Sequence, residues 1–359
     1  MPMKAQRTKL TARGVPSLAL VIFLPALLAL GFSSCNDNAG GSSAQSNKTN
    51  GTASPVAGAT SAANSTGAPA ARPAFDGERA LGHVRRMVEM GPRPAGSAEL
   101  ARTRAYIVGE LQSAGLKVTT DEWDAQTPVG SRRMTNITAE LPGKSPDAII
   151  VASHYDTKPI KGVRFVGAND GGSSTGALME VARALAAARQ QPALTYWFVF
   201  FDGEEAFCNG WDECKTPDGQ PDNTYGSRRF VARLREQGQK DRVRAMILLD
   251  MMGYKNLELA RDEMGTPWLS DIIWQTGKEI GYGNVFVDGE EPVGGDDHEP
   301  FLRAGIHAVD LIQLTGYPYW HLATDTLDKI SAKSLQAVGD TVIASLPRIE
   351  KSVEKNVAR

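Results

Sequence analysis

The order of apolar and polar positions from residue 74 onward alternates between helical spacing and short apolar runs. Apolar residues at intervals of three or four predict six helices, at residues 78–90, 98–116, 174–189, 227–237, 268–280 and 332–353. Short apolar or alternating segments predict six strands, at residues 117–124, 134–141, 148–152, 194–201, 244–251 and 308–314. Because helices separate most of the strands, the pattern predicts a single α/β domain with a mixed, mostly parallel central sheet and helices on both faces.

The N-terminal segment, residues 1–35, has the layout of a signal peptide. Basic residues come first, an apolar run follows at 18–32, and two serines then precede Cys35. Small residues directly before a cysteine resemble a bacterial lipobox, in which the thiol is acylated. We therefore expect an exported protein with a lipid anchor on Cys35, at the periplasmic or outer membrane surface. A plain signal peptide or an uncleaved anchor is the alternative.

Composition separates a tether from the folded domain. Residues 36–73 contain no Leu, Ile or Phe and cannot bury a core, so we expect a flexible linker there. The predicted domain, residues 74–355, belongs to a chain of 359 residues with 42% hydrophobic residues, which is enough for one large core. The formal net charge of -2 argues against nucleic acid as a partner, since no strongly basic surface is available.

The chain contains three cysteines. If Cys35 is the lipid site, Cys208 and Cys214 remain as a pair in an oxidising compartment, and a short-loop disulfide becomes an expectation. Two free thiols are the alternative. The polar, turn-rich segment 209–223, which includes Cys214, is expected to lie as a loop over the functional site.

Polar side chains follow the apolar strands at the edge where ligands bind to open α/β sheets. His154 and Asp156 follow the third predicted strand, and Asp170 lies in a glycine-rich loop before the next helix. Later strands are followed by Glu204, Glu205, Asp250, Trp320 and His321. Imidazole nitrogens and carboxylate oxygens gathered at one edge suit a hydrolytic-type zinc ion better than a thiolate site would.

The order of these residues resembles the metal framework of the M28 zinc peptidase family. The resemblance covers residues 91–331 and implies a zinc aminopeptidase-like α/β topology. Longer motifs resemble the glutaminyl cyclases of that family: HYDTK at 154–158, FDGEEAF at 201–207, YGSR at 225–228, DDHEPFL at 296–302 and WH at 320–321.

Carried over position by position, the resemblance implies one catalytic zinc ion. Its ligands would be Asp170, Glu205 and His321, which leaves the fourth position of a tetrahedral ion open for substrate. Glu204 would be the proton shuttle. The supporting acid network would consist of Asp250 and Asp296.

Three further residues have roles that depend on the number of zinc ions. In the peptidases of the family, the positions of His154 and Asp250 would bind a second zinc. Here we expect His154, together with Asp156 and His298, to be polar groups that support the ligands of a single ion.

The reaction implied by the resemblance is cyclisation of the N-terminal Gln of a peptide or protein to pyroglutamate, with release of ammonia. Glu204 would take a proton from the α-amine as its nitrogen attacks the polarised carboxamide, and would return the proton to the leaving ammonia. A pocket that excludes water from this reaction needs aromatic walls, for which Trp320 and Trp211 are the candidates. The resemblance also favours a monomer, whose only membrane contact is the lipid anchor.

Two other functions remain open. A dinuclear M28 aminopeptidase would use the same side chains with two zinc ions and a bridging water to hydrolyse the first peptide bond. From a different class, a surface binding module could keep the fold without catalysis. Such modules usually lose a ligand or the shuttle carboxylate, and this sequence retains them.

Overall fold

The computed structural model describes residues 74–188 and 190–357. The predicted signal peptide, the lipid site at Cys35 and the tether at 36–73 lie outside the described residues and remain predictions. No helix in the described part of the chain has an apolar stretch long enough to cross a membrane.

A six-stranded sheet forms the centre of the domain, in the order β1-β2-β4-β3-β5-β8. The strands β4, β3, β5 and β8 are parallel to one another, and β1 and β2 join them as an antiparallel hairpin. A separate two-stranded parallel sheet pairs β6 with β7. The bounds are β1 Lys117–Thr127, β2 Gly130–Leu141, β3 Ser145–His154, β4 Leu194–Phe201, β5 Val243–Leu249, β6 Leu259–Asp262, β7 Phe286–Glu291 and β8 Ala308–Leu311.

Seven helices surround these sheets within the described residues: α1 Gly77–Met90, α2 Ala98–Ser113, α3 Gly172–Ala187, α4 Tyr225–Glu236, α5 Pro267–Glu279, α6 Glu299–Arg303 and α7 Ala332–Val357. Side-chain caps mark two of the starts. The Asp76 carboxylate accepts from the main chain at the start of α1, and the Ser97 hydroxyl does so for α2.

Successive residues of the central strands supply two separate apolar cores. Ile149 and Val151 of β3 pack in the core that contains helices α1, α2, α3, α5 and α7. Ile150 and Ala152, which point to the other face, pack with residues of α4 and α6. Because both faces are covered, β3 reads as a continuous apolar run. The predicted fold class, a mostly parallel sheet with helices on both sides, is confirmed.

Three short elements are absent from the sequence-based prediction. Strands β6 (LARD) and β7 (FVDGEE) are short and rich in charge, so they show no clear alternation of apolar residues. Helix α6 has five residues and includes a proline. Predicted ends also shift: α2 stops at Ser113, because Gly115 takes a left-handed backbone with φ of 83°.

Candidate active site

The ends of β3 and β4 bring an imidazole and two carboxylates to the carboxyl edge of the sheet. His154 is the last residue of β3 and is buried. The Asp156 carboxylate accepts hydrogen bonds from the main-chain N–H groups of Glu204 (3.2 Å) and Glu205 (3.4 Å). Asp156 therefore fixes the backbone of the glutamate pair relative to β3.

Asp325 holds the glycine-rich loop that carries Asp170. The Asp325 carboxylate accepts from the main-chain N–H of Asn169 (2.9 Å) and of Asp170 (3.1 Å). Glycine is required at position 171, where φ is 68° and a Cβ would lie 2.8 Å from a His154 ring carbon. The close packing of this loop on β3 brings Asp170 near His154.

His321 presents its ring from a strained backbone. It has φ of 55°, and the other non-glycine residues with positive φ in the described chain are Thr224, whose N–H donates to the Glu204 carbonyl (2.8 Å), and Met251, which follows Asp250. The Trp320 ring stacks on the imidazole at a centroid distance of 4.2 Å, and Phe165 meets it edge-on at 5.8 Å. Clustering of strained residues around one pocket is typical of functional sites.

Asp170, Glu205 and His321 converge as a first donor set. His321 Nε2 lies 3.4 Å from Asp170 Oδ2 and 3.3 Å from Glu205 Oε2. Both carboxylate oxygens are buried without a hydrogen-bond partner among the described residues. In a tetrahedral zinc site with bonds of roughly 2.0–2.1 Å, ligand atoms are about 3.3–3.4 Å apart. The two distances from His321 Nε2 thus match the spacing of ligand atoms around zinc.

The charges of the first set depend on one another. Burial alone would lower the pKa of His321, but the Glu205 and Asp170 carboxylates raise it to about 10. Burial would raise the pKa of Asp170, yet His154 and His321 hold it below its ordinary value. The pKa of Glu205 is raised by burial and by Asp170. The carboxylates of Asp170 and Glu205 thus stabilise a positive charge on a group that lies between them.

A second donor set consists of His154, Asp170 and Asp250. His154 Nε2 lies 3.2 Å from Asp250 Oδ1, as a hydrogen bond, and 3.3 Å from Asp170 Oδ1. The same Asp250 oxygen accepts from the main-chain N–H of Met251 at 2.7 Å. Burial would lower the pKa of His154, but Asp250 and Glu204 raise it well above its ordinary value. His154 Nε2 and Asp250 Oδ1 thus already satisfy each other, while His154 Nδ1 has no hydrogen-bond partner among the described residues.

Glu204 is buried beside the first set and is not one of its donors. Burial raises the pKa of Glu204 well above its ordinary value, and Glu205 and Asp296 add to the rise, although His154 opposes it. Burial and Asp250 raise the pKa of Asp296 to about 6. The predicted shuttle Glu204 and its neighbour Asp296 therefore both have pKa values above those of exposed carboxyl groups, as is common at functional sites.

These side chains line one cavity of about 400 Å³. The residues that face it include Asp170, Glu204, Glu205, Trp211, Asp250, Asp296, Trp320 and His321. The two predicted aromatic walls thus border the same space as the donor set. The cavity volume falls within the range of sites that enclose small ligands.

The loop that follows the glutamate pair closes one side of the cavity. A disulfide joins Cys208 to Cys214, as expected from the sequence. The Lys158 ammonium donates to the Cys208 carbonyl (3.1 Å), and the Asn223 side chain donates to the Trp211 carbonyl (3.0 Å). These contacts fix Trp211 at the cavity wall.

His298 lies away from both donor sets. It is fully buried, with Nε2 3.0 Å from Asp262 Oδ2 and Nδ1 3.9 Å from Asp310 Oδ2. Asp310 in turn influences the pKa of Asp296. His298 therefore supports the acid network from behind, at a distance from the zinc ligands.

Sequence reasoning missed four buried residues that hold the site together: Arg93, Lys158, Asn169 and Asp325. Three of them adjoin residues that were identified, since Asn169 precedes Asp170, Lys158 ends the HYDTK motif and Asp325 lies four positions after His321. For Arg93, the sequence showed only that the residue lies in a predicted turn. No local pattern reveals that a polar residue in a turn is buried.

Comparisons with known proteins agree with this geometry. Residues 136–346 match the model of peptidase family M28. Glutaminyl-peptide cyclotransferase from Drosophila melanogaster is 26% identical over 280 residues, which cover 69% of this chain and 75% of that protein.

Solved structures extend the similarity to nearly whole chains. A glutaminyl cyclase from an Acidobacteriales bacterium is 35% identical, with a TM-score of 0.72, over 80% of this chain and 99% of that one. A leucine aminopeptidase precursor from Bacteroides thetaiotaomicron is 31% identical, with a TM-score of 0.71, over 78% and 99% of the two chains. Similarity in fold therefore does not by itself separate cyclase from peptidase.

Proposed function

The chain belongs to peptidase family M28, and we propose that within this family it is a zinc-dependent glutaminyl-peptide cyclotransferase. It converts the N-terminal Gln of peptides and proteins to pyroglutamate and releases ammonia. One observation carries the proposal: Asp170, Glu205 and His321 form a donor set with unpaired oxygens, directly beside a buried Glu204 whose pKa is raised. The similarity to solved glutaminyl cyclases over nearly their whole length supports it.

The donor set fits a single zinc ion. Carboxylate oxygens and imidazole nitrogens are both ligands that zinc accepts, and three protein ligands leave one position for substrate. The buried oxygens of Asp170 and Glu205 have no other partner among the described residues, so a cation would satisfy both. When bound, zinc supplies a Lewis acid that polarises the γ-carboxamide carbonyl of the substrate and stabilises charge on its oxygen.

Glu204 performs the proton transfers. Its carboxylate accepts a proton from the α-amine while the amine nitrogen bonds to the γ-carboxamide carbon. The bond from that carbon to the amide nitrogen then breaks, and the same proton goes to the departing nitrogen, which leaves as ammonia. Because its pKa is raised, Glu204 is a stronger proton acceptor than an exposed glutamate.

The remaining cavity residues orient the substrate and exclude water. Asp250 and Asp296 border the same cavity as Glu204, where their carboxyl groups can bind the α-amine of the substrate. Trp211 and Trp320 supply apolar surface for the methylene groups of the Gln side chain. Exclusion of water matters here because the attacking nucleophile is the amine of the substrate itself.

A dinuclear aminopeptidase is the second candidate, supported by the second donor set and by the similarity to a leucine aminopeptidase precursor. It is less well supported because the His154–Asp250 hydrogen bond would have to break before a second ion could bind. A binding module without catalysis has less support still, since the donor set and Glu204 are present together.

An assay for two products separates the candidates. The wild-type chain is incubated with a Gln-initiated peptide, and ammonia and free amino acid are both measured. Ammonia without free amino acid supports the cyclase, whereas free amino acid without ammonia identifies a peptidase. Glu204→Gln should lower kcat by about 10²–10⁴-fold while zinc content and melting temperature stay close to wild type. Unchanged turnover in this variant would remove Glu204 from the mechanism.

Export and lipid anchoring on Cys35 belong to the same proposal, as does a monomeric state. The basic and apolar order of residues 1–35 supports export, and the Cys208–Cys214 disulfide is consistent with an oxidising compartment. Metabolic labelling with a fatty acid tests the anchor. Label in the wild type but not in Cys35→Ser supports it, and no label in the wild type contradicts it.

A further inference from the structure

Arg93 lies beneath the loop that carries Asp170, and it is fully buried. Its guanidinium donates three hydrogen bonds of 2.9 Å or shorter, to the main-chain carbonyls of Tyr155 (2.9 Å), Val166 (2.6 Å) and Gly167 (2.9 Å), and a longer one to the main-chain carbonyl of Asp170 (3.5 Å). The hydrogen bonds of this side chain within the described residues all go to main-chain carbonyls. A buried cation without a carboxylate partner is costly, so it needs a reason other than ion pairing.

These carbonyls belong to the two arms of the segment that connects β3 with α3. Tyr155 directly follows His154 at the end of β3, on the arm that carries Asp156. Val166 and Gly167 lie just before Asp170, on the returning arm. Arg93 therefore forms hydrogen bonds to both arms: the one that begins next to His154 of the second donor set, and the one that leads to Asp170, a predicted ligand in the first set.

The main chain of Arg93 is itself fixed to this segment. Its N–H donates to the Thr157 hydroxyl (3.0 Å), and the Thr157 N–H donates to the Arg93 carbonyl (3.2 Å). Around the guanidinium the packing is close: a Cβ at Gly172 would lie 2.5 Å from the Gly167 carbonyl oxygen and 3.4 Å from Arg93 Nη2. The planar fork of an arginine matches three separate acceptors, whereas a lysine has a single nitrogen.

We propose that Arg93 is a positioning residue for the metal site: the hydrogen bonds of its guanidinium hold the two arms together so that Asp170 faces Glu205 and His321. The inference rests on the proposed zinc site. It assigns a function in metal affinity to a residue that touches neither the metal nor the substrate. Without the guanidinium fork, the arm that carries Asp170 should be less ordered. Part of the free energy of zinc binding then offsets the entropy lost when this arm becomes ordered, so zinc affinity falls.

Zinc affinity and stability are the two readouts, measured on the full chain. The dissociation constant for zinc is determined by competition with a chromophoric chelator, and the melting temperature is determined for the metal-free protein. Arg93→Lys keeps the charge and loses the fork, so it should weaken zinc binding by about tenfold or more, in the range of residues that support metal ligands. At saturating zinc, kcat should recover most of its wild-type value.

Arg183→Lys is the matched control. Arg183 also uses its fork in a partly buried position, with Glu180 and the Ala74 carbonyl, but on α3 away from the cavity. It should lower the melting temperature and leave zinc affinity unchanged. If Arg93→Lys behaves in the same way, Arg93 is a structural residue only and the proposal is wrong.

A second pair of variants covers the case in which Arg93→Lys does not fold. Thr157→Val removes the hydroxyl that accepts from the Arg93 N–H, whereas Thr157→Ser retains it. We expect zinc binding to weaken in the valine variant and to stay near wild type in the serine variant. Equal zinc affinity in both would overturn the proposal. A wild-type chain that binds no zinc would instead refute the proposed function, so the two failures are distinguishable.

Discussion

The two donor sets share Asp170, but they differ in the hydrogen bonds of their donor atoms. In the first set, Asp170 Oδ2 and Glu205 Oε2 are buried, have no hydrogen-bond partner among the described residues and face His321 Nε2. In the second set, His154 Nε2 is hydrogen bonded to Asp250, which also accepts from the main chain. An ion that enters the first set displaces a proton from His321 and satisfies two buried carboxylate oxygens, whereas an ion in the second must also break the hydrogen bond between His154 and Asp250. Proximity of ligand side chains is therefore weaker evidence for a metal than absence of other partners.

Backbone geometry separates the two sets as well. His154 ends a regular strand at the centre of the sheet, where its position follows from strand pairing. His321 lies on a loop in the left-handed region, held by ring stacking with Trp320. Strain of this kind persists only where surrounding contacts enforce it, and here it turns an imidazole toward the two unpaired oxygens.

The substitution with the largest expected effect removes a predicted zinc ligand that belongs to the first donor set and not to the second. Glu205→Gln should weaken zinc binding by about a thousandfold, if a site of roughly 12 kcal/mol is shared among three protein ligands. Turnover should fall in parallel at limiting zinc. Zinc content after dialysis, measured by mass spectrometry, checks the result, and Glu204→Gln is the control that should keep its metal. A Glu205→Gln protein that retains a full zinc complement would refute the ligand assignment.

Removal of the imidazole from the second set should have a smaller effect. His154→Gln loses the hydrogen bond to Asp250 but leaves every atom of the first set in place, so we expect activity to fall by about 10–100-fold with the zinc count unchanged. The decisive measurement is zinc per chain in wild type and variant. Two ions in the wild type and one in the variant would show that the second set is a metal site and would favour the peptidase.

Proton release on metal binding gives a further contrast. In the metal-free protein the pKa of His321 is raised to about 10, so its ring is protonated at neutral pH and must lose a proton to bind zinc. Apparent zinc affinity should therefore rise by about tenfold per pH unit between roughly pH 7 and 9, and fall as the pH is lowered. Chelator competition across this range measures the slope. A flat profile would mean that His321 is not a ligand, and a slope near two would point to both imidazoles.

The smallest expected effect concerns the loop that covers the first set. With Cys208 and Cys214 both changed to Ser, Trp211 is less well fixed at the cavity wall, so KM should rise by about threefold to tenfold, as expected for a loss of roughly 1 kcal/mol of substrate binding. The kcat value and zinc affinity should remain near wild type, because no zinc ligand lies in this loop. Trp211→Ala provides the comparison, with an equal or larger rise in KM. A large loss of zinc in the cysteine variant would contradict this division of roles.

The sequence by itself determined the fold class and predicted most of the residues that the structure brings together at one cavity. Apolar runs and helical spacing reflect burial on one or both sides of an element, and that burial is a property of each segment, so the strands and the longer helices could be predicted. Polar residues directly after those strands reach the carboxyl edge of the sheet whatever the details of packing, which is why His154, Asp170 and the Glu204–Glu205 pair could be identified. Short, charged elements such as β6 and β7 carry too few apolar residues for the same reasoning.

Only the tertiary structure determined which side chains of the site are hydrogen bonded to one another. Contacts between residues far apart in the chain determine three features of the site. Asp250 is hydrogen bonded to His154, Glu205 Oε2 has no hydrogen-bond partner among the described residues, and Arg93 is buried under a loop. Hydrogen bonding and metal coordination change sharply over a few tenths of an ångström, whereas the periodicity of a sequence specifies only which face of an element a side chain occupies. Sequence thus identified the residues of the site, and packing determined which of them are left unpaired to bind an ion.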